Sequence, residues 1–91
     1  MNAYEQIGLH IPEEVERLME DRGILRENVQ ETIRHAETTG EKFIDLSASR
    51  SLAFLRPDRV TYWVEYSQIG EDYQVHSAYS HRMEAKRGRG W

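Results

Sequence analysis

Residues 59–83 read RVTYWVEYSQIGEDYQVHSAYSHRM, the densest run of β-forming residues in the chain. Strand side chains alternate between two faces, so each half of the run sorts by parity. In the first half Val60, Tyr62, Val64 and Tyr66 share one face, and Thr61, Trp63, Glu65 and Ser67 share the other. In the second half Tyr73, Val75, Ser77, Tyr79, His81 and Met83 fall together, opposite Gln74, His76, Ala78, Ser80 and Arg82. The residues between, Gln68 to Asp72, have the composition of a turn. Folding the run about Ile69–Gly70 pairs Tyr66 with Tyr73, Val64 with Val75, Val60 with Tyr79 and Trp63 with His76. A slip of one residue would set apolar side chains against polar ones, so this register is the one the pattern predicts.

The segments before the hairpin carry a helical period. Ile11, Val15, Leu18 and Met19 lie on one helical face, with Pro12 suited to the first position and Gly23 to the stop. That spacing predicts a helix over 12–22. Leu25, Val29, Ile33 and Ala36 form a second stripe, closed by Gly40, and predict a helix over 26–39. Residues 1–10 read as a lead-in. Lys42–Leu46 and Leu52–Arg56 read as two shorter strands, and Pro57-Asp58 as a turn into the long hairpin. The last residues, EAKRGRGW from Glu84 to Trp91, read as a basic tail. Helices followed by strands indicate one α+β domain spanning 1–91. The expected order is α-α-β-β-β-β, with two N-terminal helices (12–39) on one face of a four-stranded antiparallel sheet (42–83).

Bulk properties narrow the chemistry. A chain of 91 residues makes one small domain with a modest core. It has no cysteine, which excludes disulfides, thiolate metal sites and thiol catalysis. No apolar run approaches the roughly 20 residues of a membrane helix. The opening MNAYEQIGLHIPEEVE lacks the basic start and apolar core of a secretion signal, so a cytoplasmic location is expected. The net charge of −4 is divided unevenly. Residues 1–45 hold 11 acids against 5 bases, a net of −6, and residues 46–91 hold 7 bases against 5 acids, a net of +2. A slightly basic sheet half can meet phosphate, and it can equally be ordinary solvated surface.

Two groups of residues could carry function. Trp63 falls on the face away from the helices, beside His76, with Ser80 and Arg82 further along. A stacking surface, an imidazole and a guanidinium fork would suit a nucleotide or single-stranded nucleic acid. The alternative is that Trp63 is covered by the tail, by the lead-in or by a dimer partner. The second group is Tyr79-Ser80-His81-Arg82. A metal-independent ribonuclease needs a proton acceptor near the 2′-hydroxyl and cations near the phosphate, roles open to His81 and Arg82. Adjacent strand residues point apart, so those two converge only where the strand ends or bulges. A strand end turning polar explains the same residues without function. No His, Asp or Glu set has a trustworthy metal-ligand spacing, so neither a metal nor a cofactor is expected.

The run Leu18-Met19-Glu20-Asp21-Arg22-Gly23-Ile24, followed by Glu27-Asn28-Val29 and then by strands ending in Val75–Tyr79, resembles a widespread group of small domains. In those, an RM-x-x-R-G-I helix end precedes an x-E-D-V helix start and an antiparallel sheet. This chain departs from the pattern at Leu18 and Asn28. The group is similar in organisation to the RelE and BrnT toxins, which are ribonucleases. The likeness spans roughly residues 15–80 and implies a RelE-like α+β fold. No catalytic set matches position for position, and the acidic net charge departs from the basic charge usual in such toxins. A second likeness lies in Val60–Tyr66 and Ala78–Met83. These are similar to stretches in uncharacterised proteins of anaerobic bacteria associated with pyridine-nucleotide oxidoreductases, which implies an accessory or interaction domain. The combined expectation is a small binding domain that uses Trp63, His76, Ser80 and Arg82 toward a protein partner or a second copy. RNA is a further candidate, and the second reading is a toxin-like ribonuclease using His81 and Arg82.

Overall fold

In the computed structural model, which describes residues 8–82, the helix signals act where they stand. Helix α1 covers Glu13–Arg22 and α2 covers Arg26–Thr39. Pro12 is extended, and its carbonyl accepts the N–H groups of Val15 and Glu16 at 2.9 and 3.0 Å. Glu13, Glu14 and Glu16 sit in the first turn, where the helix dipole favours acids. Gly23 closes α1 at φ 70°, and the N–H of Ile24 reaches back to the Met19 carbonyl at 2.8 Å. Helix α2 has no Ser, Thr or Asp at its cap; Asn28 Oδ1 accepts the Leu25 N–H at 2.8 Å instead. Gly40 ends it at φ 81°. The stripe Val29, Ile33 and Ala36 is fully buried, whereas Leu25 at the cap is exposed.

The sheet differs from the expected one in a way that matters for the site. Strands β2 (Lys42–Asp45), β3 (Arg50–Leu55), β4 (Val60–Ile69) and β5 (Asp72–Arg82) form an antiparallel meander. A further strand, β1 (Leu9–His10), lies parallel to β5, with Leu9 opposite Tyr73. The sheet is therefore five-stranded and mixed, in the order β1-β5-β4-β3-β2, and the end of the expected lead-in belongs to it. Met83 and the tail 84–91 lie outside the described residues, as do 1–7. Gly8 makes the docking of β1 possible: its carbonyl accepts the Tyr73 N–H at 3.0 Å, and a Cβ there would overlap the Asp72 carboxylate. That carboxylate is held 3.0 Å from His10 Nε2. Arg22 and Arg26 then tie the helices to the same side of the sheet, donating to the carbonyls of Ala78 and Leu9 at 2.9 and 3.2 Å.

The long hairpin is tighter than its sequence suggested and contains a bulge. Ile69 faces Asp72 across a two-residue loop, so Tyr66 pairs with Val75, not with Tyr73. Between Glu65 and Tyr66 the register shifts, because Glu65 faces Ser77 and His76 is the additional residue on β5. Every side chain of β5 beyond His76 therefore changes face relative to simple parity. Val64 pairs with Ala78, Trp63 with Tyr79, Tyr62 with Ser80 and Val60 with Arg82. The expected pairs Val64–Val75, Val60–Tyr79 and Trp63–His76 do not form. The burials agree: Ala78 is fully enclosed beneath the helices and Tyr79 is exposed.

One core consists of Val15, Met19 and Ile24 with Val29, Ile33 and Ala36 from the helical half, and Leu9, Ala53, Val64, Tyr66, Val75 and Ala78 from the sheet. A titratable contact closes it at Tyr66, which is 1 % exposed. The phenol donates to Glu37 Oε2 at 2.5 Å, and Lys42 Nζ donates to the same oxygen at 2.7 Å. Burial pushes the Tyr66 phenol well above its ordinary value, and the Glu37 carboxylate pushes it further. For Glu37 burial acts upward, yet the hydrogen bonds from Lys42 and Tyr66 and the Lys42 charge together hold it below the ordinary carboxylate value. A carboxyl depressed on folding adds stability above its unfolded pKa and loses it as pH falls through the folded one. Tyr66→Phe removes the phenol donor, and because Lys42 still faces Glu37 the expected loss is about 1–2 kcal/mol by urea melt at pH 7. The variant should also lose less further stability than the wild type as pH drops below the unfolded carboxylate range; an equal acid loss would show that Tyr66 does not stabilise the charged Glu37.

Candidate interaction face

The helices cover one face of the sheet, and the opposite face carries a row of rings. Phe54 on β3 pairs directly with Trp63 on β4, their centroids 5.4 Å apart. Phe43 on β2 lies 5.7 Å from Phe54, and Tyr79 on β5 stacks at 6.3 Å and 13° on Trp63. The four rings thus cross four neighbouring strands without a gap. Ring contacts of this kind stabilise a sheet by about 0.5–1.5 kcal/mol each beyond area burial. Phe54 and Trp63 are half-buried by their neighbours, while Phe43 is 59 % and Tyr79 39 % exposed. Ile44 and Leu46 are also exposed, but Ile44 pairs with Ser51, which faces Tyr66, and so belongs to the helix side of the sheet, and Leu46 lies in the turn after β2. A contiguous exposed apolar patch is the ordinary mark of a contact surface.

Beside the rings lies a shallow groove of about 280 Å³, bordered by Phe43, Asp45, Arg50, Leu52, Glu65 and Tyr79. Pockets that enclose small ligands run to about 300–1,000 Å³ and bury most of the ligand; this groove is at the lower limit and open along its length. Arg50 Nη1 lies 3.5 Å from Glu65 Oε2, so the cation here already faces an acid. Asp45 is occupied in its turn, where it accepts from the Ser47 hydroxyl and from the N–H groups of Ser47 and Ala48. Those bonds, with the Arg50 charge, hold its carboxyl below the ordinary value. His76 is pushed below its ordinary value by burial first and by Arg50 second, against the pull of Glu65. Its Nε2 lies 2.8 Å from Ser67 Oγ.

The residues singled out from the sequence separate under this geometry. Trp63 occupies the middle of the ring row. His76 shares the outer face, but its neighbour is Ser67, not Trp63. Ser80 lies two positions beyond the buried Ala78, opposite Tyr62, and so belongs to the helix side. It does not join Trp63, because the bulge reverses its parity. The backbone of Arg82 pairs with Val60, and its side chain lies outside the described residues. His81 faces Thr61 and, by the same reversal, stands exposed on the ring face. Sequence reasoning passed over Phe43 and Phe54, and by simple parity it put Tyr79 on the helix side. The available signal was Ala53 and Ala78. Alanine inside a strand marks a place where a helix comes close, and it would have sent Phe54 and Tyr79 to the other side.

Among the described residues no group of three or more His, Cys, Asp or Glu side chains is arranged to hold a metal ion. No described helix is long and apolar enough to cross a membrane. Comparison of the chain with protein-family models, with curated proteins and with solved structures finds no match.

Proposed function

We propose that the chain is an interaction domain whose outer sheet face, centred on Trp63, binds a protein surface. The observation that carries this reading is the unbroken row Phe43–Phe54–Trp63–Tyr79 on the side of the sheet that no described helix covers. Two features favour protein over nucleic acid. A strand-binding groove combines stacking rings with an excess of positive charge, and here Arg50 is matched by Glu65 while burial disfavours the charged form of His76. Aromatic and aliphatic side chains with few net charges are the composition of a protein-contact core. The test is co-purification from the native cell with wild-type chain and with Trp63→Ser. The wild type should retain a partner that the variant loses while keeping its circular dichroism spectrum. A partner held equally by both removes Trp63 from the contact.

The toxin-like ribonuclease stands second, favoured by one observation: the bulge brings His81 onto the same face as Trp63 and Tyr79, where bases could stack near an imidazole. Incubation with RNA, with His81→Ala beside the wild type, decides it. Cleavage unaltered by the substitution excludes His81 as the proton acceptor.

A further inference from the structure

Toward the Gly70 turn the outer face becomes polar. Ser51 pairs with Tyr66, so Arg50 on β3 stands across from Ser67 on β4, and Ser67 in turn pairs with Gln74 on β5. His76, the additional residue of the bulge, reaches across to this row, its Nε2 at 2.8 Å from Ser67 Oγ. Both residues are half-buried, so their neighbours hold them in place and neither is sealed from a substrate. A bulge re-aims a side chain, and bulges are over-represented next to active sites for that reason. A hydroxyl in hydrogen-bond contact with an imidazole is the nucleophile and base of acyl transfer.

We propose that Ser67 and His76 form a catalytic pair that hydrolyses a small ester with an apolar acyl group. Three observations meet at this place. The first is the contact itself, at hydrogen-bond length. The second is the environment of the imidazole: burial, and after it the Arg50 charge, lowers the His76 pKa against the pull of Glu65, which favours the form that accepts a proton. The third is the groove, whose walls Phe43, Leu52 and Tyr79 can receive an apolar acyl group. Arg50 belongs both to that groove and to the row of Ser67. One of its nitrogens lies 3.5 Å from Glu65, but a guanidinium carries five N–H donors, so the pair leaves donors for a developing oxyanion. The proposal does not depend on which protein the ring row binds.

The reaction needs only water besides the ester. In the tautomer protonated on Nδ1, the Ser67 hydroxyl donates to His76 Nε2. His76 takes that proton as Oγ bonds to the carbonyl carbon, and the carbonyl electron pair moves onto the oxygen facing Arg50. The pair returns, the bond to the alcohol oxygen breaks, and His76 passes its proton to the departing alkoxide. A water molecule then adds to the acyl carbon with His76 as base, and Ser67 leaves with its proton restored. Ester and water become acid and alcohol, with no change of oxidation state.

An alkyl fluorophosphonate tests the pair on the full chain, because it bonds to an activated serine with loss of fluoride. Fragment mass spectrometry should place the label on Ser67 of the wild type. In His76→Ala labelling should be at least about 100-fold slower, the usual contribution of a positioned general base. With p-nitrophenyl acetate as substrate, Ser67→Ala and His76→Ala should both lose the nitrophenolate release of the wild type. Free imidazole should return part of the lost rate to His76→Ala, a rescue open only to a folded chain. A wild type that carries no label on Ser67 overturns the proposal whatever the variants do, and leaves a surface hydrogen bond only. Labelling of Ser67 at an equal rate in His76→Ala overturns it as well, since the imidazole would then not act as base. Retention of a cellular partner by the wild type and its loss in Trp63→Ser are read separately, so the interaction reading and this proposal can fail one without the other.

Discussion

Ile33→Ala is expected to lower the unfolding free energy by about 2–5 kcal/mol, the range for removing a large aliphatic side chain from a filled core. Ile33 is fully enclosed, on the face of α2 that lies on β3 and β4, with Val29 before it and Ala36 after it. A chain this size has a stability of roughly 5–14 kcal/mol in total, so one truncation removes a large share of it. The melting temperature should fall by roughly 4–8 °C per kcal/mol. Leu25→Ala provides the contrast, because Leu25 is exposed at the cap, and surface changes stay within about 0.5 kcal/mol. Urea melts of the two variants with unchanged slope would measure the difference. A loss below about 1 kcal/mol at Ile33 would mean that the helix does not bury this face.

The helices were legible in the sequence because their determinants are local. Pro12, Gly23 and Gly40 act on the backbone within a residue or two of where they stand, and the stripe of Val29, Ile33 and Ala36 needs only its own spacing. The described helices begin and end within one residue of the expected limits. The sheet was legible only as far as parity holds. Tyr62, Val64, Tyr66, Tyr73 and Val75 are on the helix side as read. Beyond His76 the reading fails, because a bulge is a relation between two strands. Nothing in QVHSAYSH marks which residue is additional until Glu65 is known to face Ser77. Strand β1 is hidden for the same reason: Leu9 and His10 become a strand only by lying along Tyr73 and Gln74. The candidate site inherited both difficulties. Trp63 needed parity on β4 alone and was placed correctly, while Ser80 needed the parity of β5 past the bulge and was not.

The outer face can be tested without disturbing the core that supports it. Trp63→Ser should weaken the contact on the ring face by about 2–4 kcal/mol, roughly 30- to 1,000-fold, because a central aromatic side chain carries a large share of an interface's energy. Its cost to folding should be near 1–2 kcal/mol, from the ring contacts with Phe54 and Tyr79, since Trp63 is only half-buried. Ile33→Ala predicts the reverse: a large loss of stability and, at temperatures where the chain stays folded, an unaltered contact. Ser80→Ala separates the observed register from simple parity. Parity alone places Ser80 beside Trp63, where its removal would disturb the contact. The bulge places it opposite Tyr62 under the helices, where its removal should leave binding within about two-fold of wild type, a change of no more than about 0.4 kcal/mol. Retention of a cellular partner reads the contact, and a urea melt reads the fold. If Trp63→Ser kept full affinity while Ser80→Ala lost it, the ring row would not be the contact and the binding surface would lie on the helix side of β5.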